Sequence, residues 1–246
     1  MDEVIRQYFD WDAARPYFGD LARGFWVTIQ IALLAELICL SLGMVLAVMR
    51  QAGHGATSTA GRIGGKVVRG IAIVYINVFR AIPALLVLVL MAGSFPFLPI
   101  PVIKDLTTFQ IAFLALGIVY AAYIAEVYRA GIESVDRGQT EAARSLGMSS
   151  NQTMRLIVVP QAVRRVLPPL MNDFIALTKD VALVSVIAVH DVVAVARDAQ
   201  SVTFNSSTLV AAGLFYLVFT LPLIWILDRI IAREQRRTGR VGVVGP

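Results

Sequence analysis

Cysteine and histidine are scarce in this sequence of 246 residues, and their scarcity excludes several kinds of site. Cys39 is the only cysteine, which excludes an intramolecular disulfide and a cysteine-rich metal centre. The two histidines, His54 and His190, have no further histidine or cysteine at the spacing that metal ligands need. We therefore expect no metal site in this chain.

A nucleotide-binding loop is also missing. The nearest candidate is the glycine-rich run at 61–67. A phosphate-binding loop needs a glycine five positions before its Gly-Lys pair and a Ser or Thr directly after it, but these places hold Ala60 and Val67. The sequence therefore predicts no ATP site, no other cofactor and no catalytic residue here, and we interpret the run as a flexible cytoplasmic loop.

Charge is low, whereas apolar residues are abundant. Only 16% of the residues are charged, 57% are hydrophobic, and the mean hydropathy is +0.72, which is more apolar than a soluble domain. A hydrocarbon core about 30 Å thick needs roughly 20 apolar residues per helix. The sequence thus predicts an all-α polytopic membrane protein with about five transmembrane helices. The candidate spans are 24–49, 70–93, 108–130, 173–195 and 208–231.

Lysine and arginine are concentrated in the segments 50–70 and 129–172 and in the C-terminal tail, all of which five spans place on one side. Short loops rich in these residues tend to stay in the cytoplasm. We therefore expect an outside N-terminus and a cytoplasmic C-terminus. Because topology accounts for most of the net charge of +5, we expect no nucleic-acid partner.

Three parts of the chain follow from this topology. Residues 1–23 are predicted to be an extracytoplasmic segment, 24–232 the transmembrane domain, and 233–246 a cytoplasmic basic tail. The first residues are acidic and aromatic, unlike a cleavable signal peptide, so we expect the segment to be retained. Val4, Ile5, Tyr8 and Phe9 recur at helical spacing, which indicates either a short helix at the outer interface or a loosely ordered terminus.

The central segment carries the signals of two short, capped helices. Asp136 and Gln139 form a plausible capping pair for a helix over about 137–146, and Gly147 is placed to end it. Ser149 and Gln152 then offer a second capping pair. We expect Ala142, Ala143 and Leu146 to share one face of the first helix, with the anionic Glu141 near its N-terminal turn.

The spacing in this segment resembles the cytoplasmic loop by which ATP-binding cassette (ABC) importer permeases engage their ATPase subunits. Glu141-Ala142-Ala143 is followed by three residues and Gly147, and then, nine residues later, by an I-x-V-P sequence at 157–160. Flanking segments extend the resemblance to the permeases of polar amino-acid importers, of the histidine, glutamine, glutamate and arginine type. They are Tyr75–Leu86, similar to Y-x-x-x-F-R-G-x-P-x-L-L with Ala81 for the usual glycine, and Ala122–Ile132, similar to A-Y-x-x-E-x-x-R-x-G-I.

The resemblance implies a type I ABC importer permease in a bacterial or archaeal inner membrane. Its coupling loop would cover about 131–170. The implied partners are a cytoplasmic ATPase dimer, which would bind the ATP and magnesium, a second permease copy or a sister permease, an extracytoplasmic solute-binding protein, a polar amino acid and membrane lipid. The implied docking residues are Gly138, Glu141, Ala142, Ala143, Leu146 and Gly147.

Ionisable residues inside spans are costly and mark candidate transport paths. Arg80, Lys179 and Asp180 are our candidates, because a zwitterionic amino acid needs both signs of charge. The family commonly has K-D-T-S-L where this chain has Val181 and Ala182 after the Lys-Asp pair, so two hydroxyls are absent. The substrate therefore stays open at this point.

Two other classes of function are compatible with an apolar chain. An ion-gradient-driven secondary amino-acid transporter is the main alternative, although such proteins typically contain inverted repeats, and none is evident. A membrane-embedded enzyme would need a convergent cluster of His, Cys or carboxylate groups. Neither alternative explains the capped central segment.

Overall fold

The computed structural model describes residues 1–52 and 58–237, with side chains up to Arg233. Within these residues there are helices and connecting segments but no strands, which confirms the all-α prediction. Besides the α-helices there are three short 3-10 helices, at Arg15–Tyr17, Phe95–Phe97 and Val181–Ile187, and one π-helical turn at Met154–Val158, all within the described residues. The α-helices are α1 Asp2–Tyr8, α2 Trp11–Ala14, α3 Phe18–Met49, α4 Thr59–Ala81, α5 Ala84–Ser94, α6 Pro101–Lys104, α7 Thr108–Glu133, α8 Arg137–Ser145, α9 Ser150–Thr153, α10 Val159–Asp180, α11 Val192–Thr203 and α12 Ser207–Arg237.

Three of these helices, α3, α7 and α12, are long and apolar enough to cross a membrane by themselves. Helices α4 and α5 qualify together as a bent pair, whose axes turn by 103°. By length and composition, the described residues thus supply three spans, or four if the bent pair is one span. These four correspond to the predicted spans at 24–49, 70–93, 108–130 and 208–231.

The predicted span at 173–195 is not one continuous helix. Helix α10 ends at Asp180, and a 3-10 turn follows to Ile187. Ala188 then adopts a left-handed conformation, with φ 59°, and Asp191 caps the new helix α11. The left-handed residue and the new cap redirect the chain, which an apolar count along the sequence does not register.

The bend between α4 and α5 lies at Ile82 and Pro83. Ile82 is extended, with φ −93° and ψ 135°, as expected of a residue before proline. At its other end, α4 is capped by Ser58, whose Oγ accepts a hydrogen bond from the Gly61 N–H at 3.1 Å. The glycine-rich run at 61–67 is therefore helical, and our interpretation of it as a flexible loop was wrong.

The core is built on α3 and α7, which run in the same direction. Ile38 lies beside Gly117, and Gly43 beside Ile124, so that a Cβ on either glycine would come within 2.8 Å or 2.7 Å of the isoleucine side chain. Two helix backbones can approach this closely only where one side chain is absent. The C-terminal ends of α3 and α7 consequently lie at the same end of the bundle.

The N-terminal segment is attached to the opposite end. Of the two alternatives for this segment, the helix is present as α1, in which no residue is buried, while its position at the outer interface stays a prediction. The Ser206 N–H donates to the Gln7 carbonyl at 2.8 Å, and the Asn205 side-chain amide donates to the Arg6 carbonyl at 2.8 Å. The Asp10 N–H donates to Ser207 Oγ at 2.8 Å. Hydrogen bonds therefore fasten the first ten residues to the segment between α11 and α12. The predicted division at residues 23 and 232 stays a prediction, and the basic tail beyond residue 237 lies outside the described residues.

Candidate functional site

Helix α8 begins where the sequence predicts it. Asp136 Oδ1 accepts a hydrogen bond from the Gly138 N–H at 2.7 Å, which satisfies one of the unpaired donors of the first turn. The predicted partner Gln139 plays a different part, because its N–H donates to the Asp136 carbonyl at 3.1 Å. A single side-chain cap therefore starts α8.

The turn after α8 depends on Gly147, whose φ of +84° is left-handed. The Gly147 N–H donates to the Arg144 carbonyl at 3.0 Å, and the Met148 N–H donates to the Ala143 carbonyl at 3.2 Å. This pair of bonds is the Schellman motif. Ser149 and Gln152 then form the predicted reciprocal capping box of α9. The predicted sequence of helix, sharp turn and helix is confirmed.

The faces of α8 differ from our expectation at one residue. Ala143 is buried, whereas Ala142 is exposed and Leu146 has 84% of its surface exposed. Because consecutive residues are separated by about 100° on a helix, Ala142 and Ala143 face different directions. Five of the six predicted docking residues are exposed, and we call these five the docking face: Gly138, Glu141, Ala142, Leu146 and Gly147.

The segment is held against the ends of α7 and α10. A Cβ on Gly131 would lie 2.0 Å from Val166 Cγ1, so α7 and α10 are in close contact there. The Arg165 guanidinium donates to the Ser134 carbonyl. A cleft of about 650 Å³ opens beside α8, and its lining includes Glu133, Arg137 and Arg144.

A second cavity, of about 430 Å³, lies at the bend between α4 and α5. Two of the three predicted path residues, Arg80 and Asp180, line it together, whereas Lys179 is exposed and is not part of the lining. The Tyr120 hydroxyl donates to Asp180 Oδ2 at 2.8 Å. The Arg80 guanidinium carbon lies 5.9 Å from the centre of the Tyr123 ring.

The lining also contains Asp173, which our sequence analysis missed. Asp173 precedes Asp180 by seven residues, or two helical turns, so both carboxylates lie on the same side of α10. This spacing was the signal in the sequence. Asp173 Oδ2 is buried and has no hydrogen-bond partner among the described residues. A buried carboxylate oxygen without a partner is unfavourable, so this atom is suited to a ligand that donates a hydrogen bond.

We compared the sequence with known protein families, and one family matches most of the chain. Residues 53–236 match the family described as the inner membrane component of binding-protein-dependent transport systems. The chain belongs to this family. The permease is therefore a transport component of the inner membrane and is not catalytic on its own. Membership of this family also supports the predicted importer over the alternative of a secondary transporter.

Individual relatives cover nearly the whole permease. It is 34% identical to the arginine transport system permease protein ArtQ of Bacillus subtilis, over 88% of this chain and 93% of that protein. It is also 34% identical to the glutamate/aspartate import permease protein GltK of Escherichia coli O157:H7, over 94% of this chain and 98% of the relative. The probable glutamine ABC transporter permease protein GlnM of Bacillus subtilis is 35% identical, over 81% and 86%.

Solved structures share the fold. The crystal structure of an amino acid ABC transporter with histidines aligns with a TM-score of 0.77 at 33% identity, covering 89% of this chain and 95% of the other. An inward-facing MetNI methionine ABC transporter aligns with a TM-score of 0.70 at 19% identity, over 89% and 97%. The predicted ABC importer permease fold is confirmed.

Proposed function

We propose that this permease forms the membrane pathway of an ATP-driven importer for polar amino acids. The observation that carries the proposal is the exposed, doubly capped α8, which extends from the packed ends of α7 and α10. Relatives named for arginine, glutamate/aspartate and glutamine transport support the class of substrate. The N-terminus would face outwards and the C-terminus the cytoplasm.

In this proposal, an ATPase dimer binds the docking face from the cytoplasm. The ATP and magnesium would be held by that dimer, while a second copy of the permease or a sister permease completes the pathway. A solute-binding protein would deliver the amino acid at the opposite end. Ala143 would act indirectly, since it lies on the buried side of α8 and supports the orientation of the docking face.

The docking proposal is tested with Glu141→Arg. We expect at least about a tenfold loss of co-purifying ATPase, because a reversed charge at a docking surface repels the group that Glu141 attracts. Expression with the neighbouring genes, purification in mild detergent and mass spectrometry measure this loss. Glu3→Arg, a charge reversal on the exposed α1, is the matched control. Wild-type ATPase association and uptake in Glu141→Arg would contradict the proposal.

The cavity between α4, α7 and α10 would lie on the transport path. Its two carboxylates, Asp173 and Asp180, outnumber the one cation, Arg80. The Asp180 carboxylate already accepts a hydrogen bond from Tyr120, whereas Asp173 has a buried oxygen with no partner in the part of the chain that the structure describes. Among polar amino acids, we therefore propose one with a basic side chain, whose donors would bind Asp173.

Asp173→Asn tests this choice of substrate. We expect the apparent affinity for the basic amino acid to fall about tenfold, because a charge-assisted hydrogen bond becomes a neutral one. Uptake into proteoliposomes containing the whole transporter, measured over a panel of amino acids, gives the comparison. Asp198→Asn, on an exposed part of α11, is the control. Unchanged affinity in Asp173→Asn, or uptake restricted to acidic amino acids, would contradict a basic substrate.

A further inference from the structure

Four charged residues form a network where α3 and α7 end. Glu126 of α7 pairs with Arg50, the residue directly after α3, and with Arg129 one turn further along α7. Arg129 also pairs with Glu133, the last residue of α7. We call Arg50, Glu126, Arg129 and Glu133 the Glu126 cluster. The cluster joins the ends of two helices, and its members Arg50 and Glu126 are 76 residues apart in sequence.

Glu126 is the central member of this cluster. Its Oε1 accepts from Arg50, and its Oε2 accepts from Arg129 Nε at 2.8 Å, with Arg129 Nη2 at 2.7 Å. Only 17% of the Glu126 side-chain surface is exposed, so both bonds are shielded from water more than a surface ion pair is. Loss of the carboxylate would leave two half-buried guanidinium groups without this shared partner.

The cluster reaches the cleft beside α8, because Glu133 is one of the residues that line it. Burial, together with the positive charges of Arg129, Arg69 and Arg80, lowers the pKa of the Arg50 guanidinium, while Glu133 opposes this change. The ion pairs from Arg50 through Glu126 and Arg129 to Glu133 therefore run from the end of α3 to the cleft beside α8.

The C-terminal end of α7 also contacts α10. Gly131 packs directly on Val166, and Arg165 donates to the Ser134 carbonyl. These contacts hold α7 and α10 together just before the coupling segment, by which we mean α8 and α9 with their turns, residues 136–153. The Glu126 cluster extends this group to α3, whose C-terminal residue Met49 directly precedes Arg50.

We propose that Glu126 is a positioning residue for transport, which makes α3 follow the movement of the coupling segment. A displacement of α8 would be passed through Glu133 and Arg129 to Glu126, and from there to Arg50 at the end of α3. Coupling of this kind needs a contiguous set of contacts that both sites bias. The inference rests on the proposed docking of an ATPase at α8.

The test uses Arg50→Gln, Glu126→Gln and the double variant, in the whole transporter reconstituted into proteoliposomes. Three quantities are measured: the ATPase that co-purifies, the rate of ATP hydrolysis, and the amino acid imported per ATP hydrolysed. We expect each single variant to bind the ATPase normally and to import about tenfold less per ATP, within the range of allosteric couplings. The double variant should be no worse than a single one, because all three lack the same link.

Two further variants complete the design. Arg50→Lys keeps the positive charge and should retain more than half of the import per ATP. Arg23→Gln removes an exposed ion pair with Asp20 at the other end of the molecule and should change nothing. Wild-type import per ATP in the single variants, additive losses in the double variant, or a loss of uptake that only matches a loss of assembled complex would each overturn the proposal. Loss of co-purifying ATPase in Glu141→Arg but not in Glu126→Gln separates docking from transmission.

Discussion

The two ends of this permease keep their shape by different means. At the coupling end, α8 and α9 are stabilised by bonds within 136–153: the Asp136 cap, the bonds around Gly147 and the Ser149–Gln152 box. At the opposite end, α1 and the segment 204–207 are joined by bonds between residues about 200 positions apart, such as Asn205 to Arg6. Local bonds let a segment move as one body, whereas distant bonds hold segments only while the surrounding helices stay packed.

The two ends also differ in the side chains that they bury. The opposite end contains polar residues that are fully buried and yet bonded, such as Asp191, Thr28 and Ser207. The coupling end buries Val135, Ala143 and Val158 together with one bonded polar residue, Thr153, and it exposes Leu146. An exposed leucine contributes little to the packing of its own chain, while a buried and bonded aspartate belongs to the packed structure.

The largest loss of stability is expected from Gly24→Val, at the opposite end. A Cβ at Gly24 would lie 2.9 Å from the Asp191 carbonyl oxygen and 3.0 Å from Val192 Cα, which are backbone atoms that no rotamer change can move. Overpacking typically costs about 1–3 kcal/mol, and we expect about 3 kcal/mol here because the neighbours are backbone atoms. Thermal unfolding of the detergent-purified transporter measures it. Gly19→Val in the same helix, where nothing lies within 4 Å, is the matched control and should be close to neutral.

A smaller loss is expected from Asp191→Ala. The Asp191 side chain is fully buried and accepts from the Ala194 N–H at 2.9 Å and the Val193 N–H at 3.2 Å, so its removal leaves two donors of α11 unpaired. We expect about 2 kcal/mol, at the upper end for a helix cap. Asp191→Asn keeps an acceptor oxygen and should recover most of this stability. Equal unfolding temperatures for Asp191→Ala and the unmodified permease would show that the cap does not stabilise this end.

The smallest loss is expected from Asp136→Ala at the coupling end. Its single exposed bond to the Gly138 N–H is worth about 1 kcal/mol, and water can replace it. Because the cap is local, we expect the unfolding temperature of the whole permease to change little and the co-purifying ATPase to decrease. Asp136→Ser keeps a capping oxygen and should restore ATPase association. A large fall in the unfolding temperature would show that the coupling end is not locally stabilised.

Features that depend on neighbouring residues were predictable from the sequence. The start of α8 after Asp136, the turn at Gly147 and the capping box of Ser149 each need only three or four consecutive positions, and all three are present. Ala143 is predicted to share a face with Ala142 and Leu146, but adjacent residues of a helix are about 100° apart, and only Ala143 is buried. The glycine-rich run is predicted to be a loop, whereas the Ser58 cap and the following apolar residues extend α4 through it.

Features that depend on distant residues were not predictable. Only its seven-residue spacing from Asp180 marks Asp173 in the sequence, and the meeting of α4, α7 and α10 is what places it in the same cavity as Arg80 and Asp180. The break at 181–191 was missed because an apolar run has the same composition whether it is straight or folded back.

By itself, the sequence determined that this is a helical membrane permease with two short capped helices in its central segment, because hydropathy, helix caps and motif spacing act over short stretches of chain. Only the tertiary structure decided that Glu126 links Arg50 to the end of α7, that Lys179 lies outside the cavity, and that α1 is fastened to 204–207. The physical reason is the range of the interactions: these pairings join residues from distant parts of the chain, and the close packing of glycine against isoleucine that aligns α3 with α7 sets which residues meet.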